Sequence, residues 1–389
     1  MDFFCKNTGF FYKTCYTESR TRQSEEVDFP MDFRNAYIDL CMGEDSEDKP
    51  LMLEQLLFCP VLNWVCRELL GRGVRRFFVV CDESWKEEAE GAVLDIEGAV
   101  VYTDRDAALK EMAGEVLVLP SPVLPIEVLG ESPVYVTTAE ALRKGAERGE
   151  EALYWAEIHS RAELHRAAAV CRDMICEGLA QQGVTVIDIS TTYIDPRARI
   201  GAGTVVMPNT IVRGASVVGE HCEIGPNTMI RDCVVGEHTT VNASQINESV
   251  IGSHVTVGPF AYVRPNCRVG DHCRIGDFVE LKNSVLDEGT KVSHLTYVGD
   301  SDVGRRVNFG CGTVTTNYDG VKKYRCTVGD DVFLGCNTNL VAPVSVGEGA
   351  YTAAGSTITE DVPAGALAVA RARQENKQGW VKKFFAKKR

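Results

Sequence analysis

Residues 200–230 read IGAGTVVMPNTIVRGASVVGEHCEIGPNTMI. Aliphatic side chains stand at Ile200, Val206, Val212, Val218, Ile224 and Ile230, and every step is six. Six fits neither the 3.6-residue period of a helix nor the alternation of a strand. It fits a short strand, a corner and another short strand. The series resumes at Ile251, Val257, Val263, Val269, Ile275 and Leu281, and again at Val328, Leu334, Leu340 and Val346. Glycine follows the aliphatic residue at Gly201, Gly219, Gly225, Gly252, Gly258, Gly270, Gly276, Gly329, Gly335 and Gly347. The spacing predicts an aliphatic side chain pointing inward and a glycine taking a tight corner with positive φ. Three such strands close a triangular coil of about 18 residues. Ile200 to Ile358 then holds about nine coils, roughly 43 Å of prism at the spacing of hydrogen-bonded strands.

This pattern resembles the hexapeptide-repeat parallel β-helices, a resemblance that implies a left-handed coil and a homotrimer with ligands between neighbouring prisms. A solenoid offers flat faces, so ligand sites are expected where the hexads break. Two stretches break them: LKNSVLDEGTKVSHLTYVGD from Leu281 to Asp300, and GCGTVTTNYDGVKKYRCT from Gly310 to Thr327.

The chain has 389 residues, a length that allows two or three domains. Its formal charge is −14, which argues against nucleic acid as the main partner. The charge is uneven: 16 basic and 30 acidic residues precede Ala152, and the rest is neutral. No apolar stretch reaches the roughly 18 residues that span a bilayer, and the N-terminus does not read as a signal peptide. The 15 cysteines form no CxxC pair, so free thiols in a reducing cytoplasm are expected.

The segment from Gly183 to Trp380 resembles the acetyltransferase half of the bifunctional bacterial enzymes that make UDP-N-acetylglucosamine. The motifs are VTVIDISTTYIDP, VGPFAYVRP, IGDFVELKNS, KVSHLTYVGD, NFGCGTVTTNYDG, VGDDVFLGCNTNLVAPV, AAGSTITEDVP and QGW. The resemblance implies His294 as general base, since neutral imidazole takes a proton near neutral pH. It implies Glu280 as a carboxylate beside the same amine, orienting the imidazole or holding the ammonium. Arg264, Lys282 and Lys323 match cations around the sugar phosphate, where charge-assisted bonds are strong. Tyr297 and Asn308 match further contacts to that substrate. For acetyl-CoA, the matching positions are Cys311, Asn317, Tyr318, Cys336, Ala354 and Arg371. Asn317 and Tyr318 are expected to reach into a neighbouring site. Cys311 and Cys336 fall where the family has Ala and Ser, and read as packing residues more readily than as acyl carriers. The acetyl transfer so implied needs no metal.

His221, His238, His254 and His272 each follow a glycine-plus-polar corner and read as corner fillers. A carbonic anhydrase on such a prism needs three histidines on zinc, and its close histidine pair is missing. The tail WVKKFFAKKR reads as a basic end supporting coenzyme phosphates or simply solvated, with an anionic surface as the weaker reading.

From Asn35 to Glu151 strands and helices alternate. NAYIDLC, VRRFFVVC, GAVVYT and EVLVLP read as buried strands, and LNWVCRELLGRG and DAALKEMAG as helices. This predicts a Rossmann-like α/β domain, and its pieces resemble the uridylyltransferase half of the same family. The family's glycine-rich loop with its arginine is replaced by LCMGEDSEDKP, where Glu44, Asp45, Glu47 and Asp48 repel phosphates. The metal-holding aspartate is replaced by Pro120, Ser121 and Pro122.

The expected organisation is an irregular N-terminus (1–30), a degenerate nucleotidyltransferase-like domain (31–158), a linker helix (159–183), a β-helix (184–372) and a basic tail (373–389). The expected function is acetyl transfer from acetyl-CoA to glucosamine 1-phosphate, without uridylyltransferase activity. The alternatives are a different amino sugar or sugar nucleotide as acceptor, or a non-catalytic regulatory or assembly paralogue.

Overall fold

A computed structural model describes residues 34–41, 49–129, 131–145 and 149–386. The expected irregular N-terminus, the four carboxylates Glu44, Asp45, Glu47 and Asp48, and the last three residues lie outside them. Two compact units divide the chain between Cys171 and Arg172.

The first unit is built on a six-stranded sheet. Strand Asn35–Asp39 is central and pairs in parallel with Arg76–Val80 on one side and Glu115–Leu119 on the other. Ala99–Tyr102 extends it in parallel beyond Arg76–Val80. The sequence predicts these four strands, because each is an apolar run bounded by polar or turn residues. It does not predict the antiparallel edge, Tyr135–Thr138 followed by Glu150–Glu151, where the runs are short and polar. Helix Val61–Gly71 buries Val61, Leu62, Val65, Cys66 and Leu69. Asp104 caps helix Arg105–Glu111 by accepting from the Asp106 amide at 2.9 Å, which satisfies one of the donors a helix start leaves open. Tyr37, Phe78, Leu109, Met112, Val116 and Val118 pack one core.

The second unit includes the C-terminal part of helix Arg161–Gln181. It is a three-sided parallel β-helix. Strands of two to four residues stack into a first face of eleven strands, a second of ten and a third of nine, all in parallel register. The faces begin at Thr185–Val186, Tyr193–Ile194 and Arg199–Ile200. The prism therefore starts two strands before the hexad series, in VTVIDISTTYIDP. Its core is one column of aliphatic side chains, such as Val206, Val212, Ile224, Ile230, Val257 and Leu281, all without exposure.

Three expectations change. The hexad series does not lapse between Ile230 and Ile251. Val235, Val241 and Ile246 continue it in the core, with steps of five where a corner is one residue shorter. For the same reason Leu281 to Asp300 is no break, since Leu281, Leu286, Val292 and Val298 are all buried. Only the second stretch leaves the coil, between strands Val314–Thr316 and Cys326–Val328.

The third concerns glycine. Of the ten that follow an aliphatic residue, only Gly225 and Gly258 have positive φ, 106° and 102°. The others are needed for close approach. A Cβ on Gly219 would lie 2.6 Å from the Glu237 amide nitrogen, and one on Gly276 would lie 1.9 Å from the Ser293 carbonyl oxygen. Left-handed corner positions also fall to residues with side chains, among them His221, His238, His254 and His272, with φ between 54° and 58°. Their rings stack one above another at 5.1, 4.9 and 4.9 Å.

Candidate active site

His294 ends strand Lys291–His294 of the first face, at the corner leading to the second. Register places Asp277, His294, Cys311, Cys336 and Ala354 at this same corner on successive coils. Asp277 Oδ1 lies 2.5 Å from His294 Nδ1. That imidazole hydrogen bond is the main influence holding the Asp277 carboxyl below its usual range. Cys311 is half-buried, Cys336 is exposed, and every cysteine among the described residues is a free thiol. Arg371 runs alongside Gly355, next to Ala354.

Glu280 and Tyr297 are register neighbours on the second face. The sequence reading lets Glu280 orient the imidazole. Here its carboxylate accepts from Arg264 Nη1 at 2.9 Å, and the carboxylate on the imidazole is Asp277.

At the next corner Asp300 gathers a cluster. Asn283 Nδ2 donates to it at 2.5 Å, Asn317 Nδ2 donates to its other oxygen, and Lys282 Nζ lies 3.7 Å away. Burial opposes ionisation of Asp300. The amides of Asn283 and Asn317 and the charges of Lys282 and Lys323 outweigh it, so its carboxyl sits below the usual range. Lys282, a donor facing a donor and a charge facing a like charge, pulls the Lys323 ammonium below the usual lysine range. Arg264, Asn266, Lys282, Asn283, Asp300 and Lys323 line an open cavity of about 390 Å³. Three cations, one of them shared with Glu280, against the buried Asp300 carboxylate suit an anion such as a phosphate.

Residues 317–324 form the excursion. Asp319 Oδ1 accepts from the amides of Val321 and Lys322, both at 2.8 Å, and the Tyr324 amide donates to Asn317 O at 2.9 Å. Tyr318 is exposed. Asn317, expected to reach outward, instead turns its side chain back onto Asp300, 3.5 Å from the Tyr297 hydroxyl. A short excursion closed by its own turn leaves Asn317 at its foot.

Asn308 lies apart from this cluster, on the first face in register with Lys291 and Phe333. Phe333 continues into a stacked contact with Tyr351 at 5.2 Å. The structure thus joins Arg264 to Glu280, and Lys282, Tyr297, Asn317 and Lys323 around Asp300. It sets His294, Cys311, Cys336 and Ala354 on one corner, and Asn308 beyond that corner. The sequence reading misses Asp277, Asn283 and Asp300. Each stands in a quoted motif; one coil away Asp277 is equivalent to His294 and Asp300 to Asn317, while Asn283 is equivalent to Asp300.

Among the described residues no three His, Cys, Asp or Glu side chains converge as a metal site, the stacked histidines included. None of their helices is long and apolar enough to cross a membrane.

Residues 197–232, 248–283 and 325–360 match the bacterial transferase hexapeptide (six repeats) model. The prism is a hexapeptide-repeat domain. The bifunctional protein GlmU of Geobacillus sp. strain WCH70 is 50% identical over 231 residues, 59% of this chain and 50% of that protein. The bifunctional protein GlmU of Caldanaerobacter subterraneus subsp. tengcongensis is 53% identical over 232 residues, 60% of this chain and 51% of that protein. These matches cover the C-terminal half, and the chain spans about half the length of the curated relatives it matches. A solved UDP-N-acetylglucosamine acyltransferase of Francisella novicida covers 48% of this chain and 67% of its own, with 16% identity and a TM-score of 0.29. A likeness that low carries no argument.

Proposed function

We propose that this chain transfers the acetyl group of acetyl-CoA to the amine of glucosamine 1-phosphate, giving N-acetylglucosamine 1-phosphate. The observation that carries the reading is one prism bearing both an anchored imidazole, His294, and the cationic cavity of Arg264, Lys282 and Lys323. His294 Nε2 removes a proton as the amine attacks the thioester carbonyl. The C–N bond forms, the C–S bond breaks, and the coenzyme leaves as its thiol with that proton. The Cys311 amide, which donates to no described residue, stabilises the developing oxyanion. Lys282 and Lys323 hold the phosphate and so place the amine.

The site is completed by neighbouring copies of a trimer in this reading. Phe260, Phe278 and Leu295 are 59%, 58% and 57% exposed on one corner, and Asn308 lies across that corner from Tyr297. The protein works in the cytoplasm.

The first unit has no uridylyltransferase activity in this reading. Asp39 sits buried at the end of the central strand and accepts from the Tyr37 hydroxyl and the Cys41 amide, both at 3.0 Å. Burial, then Asp39 and Asp82, push the Cys41 thiol up to about 12. Negative charge at this end of the sheet disfavours a triphosphate.

The test is release of coenzyme thiol from acetyl-CoA with a panel of amino sugars, phosphorylated and free. Turnover with glucosamine 1-phosphate that His294→Ala lowers by about 10²-fold or more supports the reading. Unchanged turnover in that variant, or no acetyl-CoA binding by the purified protein, defeats it.

A further inference from the structure

Asp277 and His294 occupy the same position on consecutive coils. Equivalent side chains on stacked strands project in parallel, about 4.8 Å apart at their roots. A carboxylate is short enough to bridge that gap to the nearer ring nitrogen, and it does so at 2.5 Å. The backbone repeats the tie: the amide of Leu295 donates to the carbonyl of Asp277 at 2.9 Å. Phe278 and Leu295, the next residue on each coil, both hold left-handed φ, 55° and 46°. The two corners therefore have one geometry. Gly276 lets the coils close this far, since a Cβ there would strike the Ser293 carbonyl.

An ionised carboxylate only accepts, so Nδ1 must carry the proton and the lone pair must fall on Nε2. Nε2 has no partner among the described residues. Glu280 is turned to Arg264 and makes no hydrogen bond to His294 among the described residues.

We infer that Asp277 is the positioning residue of the site: it fixes the imidazole of His294 in the tautomer and orientation that leave Nε2 as the base. Its task is that of an acceptor, so an amide oxygen at the same place can perform it. The inference rests on the acetyl-transfer reading for its kinetic consequence and on the Asp277–His294 contact alone for its tautomer.

The experiment compares Asp277→Ala and the near-isosteric Asp277→Asn with the wild type, full-length, by steady-state kinetics with acetyl-CoA and glucosamine 1-phosphate. The ¹⁵N spectrum of histidine-labelled protein is recorded beside them, with His294 assigned by its loss in His294→Gln. Asp277→Ala is expected to lower kcat by on the order of 10²-fold, the low end of what a placed general base contributes. KM for both substrates stays within about twofold, and Asp277→Asn recovers most of the loss. In the spectrum the wild type shows Nδ1 protonated, and Asp277→Ala redistributes the proton between the nitrogens. A kcat for Asp277→Ala within about twofold of wild type, with His294→Ala inactive, overturns the inference and leaves acetyl transfer standing. If the wild type acetylates nothing, the functional reading fails and the spectrum decides: a tautomer that Asp277→Ala leaves unchanged overturns the inference, and a redistributed one upholds it.

Discussion

Lys282 and Asp300 face each other across 3.7 Å at the cavity wall, with the Asn283 amide 2.5 Å from the same carboxylate. The ionised form of Asp300 is favoured in the folded chain, so its carboxyl lies below the unfolded value. Such a group contributes stability that is present above the unfolded carboxyl pKa and is lost as pH falls through the folded one. The urea midpoint is therefore expected to fall as pH drops below about 4. Asp300→Asn should flatten part of that fall, which parallel urea titrations at several pH values measure.

Lys323 and Lys282 repel each other until an anion arrives. Lys323→Ala is expected to raise KM for the phosphorylated acceptor by about tenfold, the scale of one charge-assisted bond. Activity on free glucosamine should change little. Initial rates with the two acceptors check both statements.

Gly276→Ala places a methyl 1.9 Å from the Ser293 carbonyl, in the coil that carries His294. Overpacking of this kind destabilises by about 1–3 kcal/mol. Gly178, inside helix Arg161–Gln181, has open space around it and no positive φ. Gly178→Ala should stabilise by about 0.5–1 kcal/mol. Chemical denaturation of the two variants separates close approach from helix propensity.

His254 stacks at 4.9 Å on both His238 and His272 with φ 56°. Asn tolerates that conformation and β-branched residues do not. His254→Val is expected to cost about 1–2 kcal/mol and His254→Asn less, measurable as thermal shifts of the two proteins.

The inward face of the prism was legible because burial needs an aliphatic residue at each turn of a fixed repeat. The corners were less so. A glycine's place in the hexad does not say whether it serves φ or close approach, and of the ten that follow an aliphatic residue only Gly225 and Gly258 have positive φ. The quoted motifs named His294 and Lys282, the stretch from Gly310 to Thr327 held Lys323, and Asp277 and Asp300 were left unseen. Asp277 is 17 residues before its partner, and Asp300 is 17 after Asn283 and 17 before Asn317. A strict repeat of 18 misaligns all three pairs. In the first unit, parallel strands were readable as apolar runs, while Tyr135–Thr138, next to the edge strand, carried too little burial to stand out.

The corner that shortens a step from six to five has a consequence for how such a chain can change over generations. Each strand is two to four residues, so a deletion at a corner is absorbed before the next inward side chain. Ile246 and Ile251 remain in the core in spite of it. An insertion is absorbed as readily, and residues 317–324 are one. The prism behaves as a rack with a slot at every corner: lengths can vary there, and new chemistry can be hung there, while the column inside keeps its count.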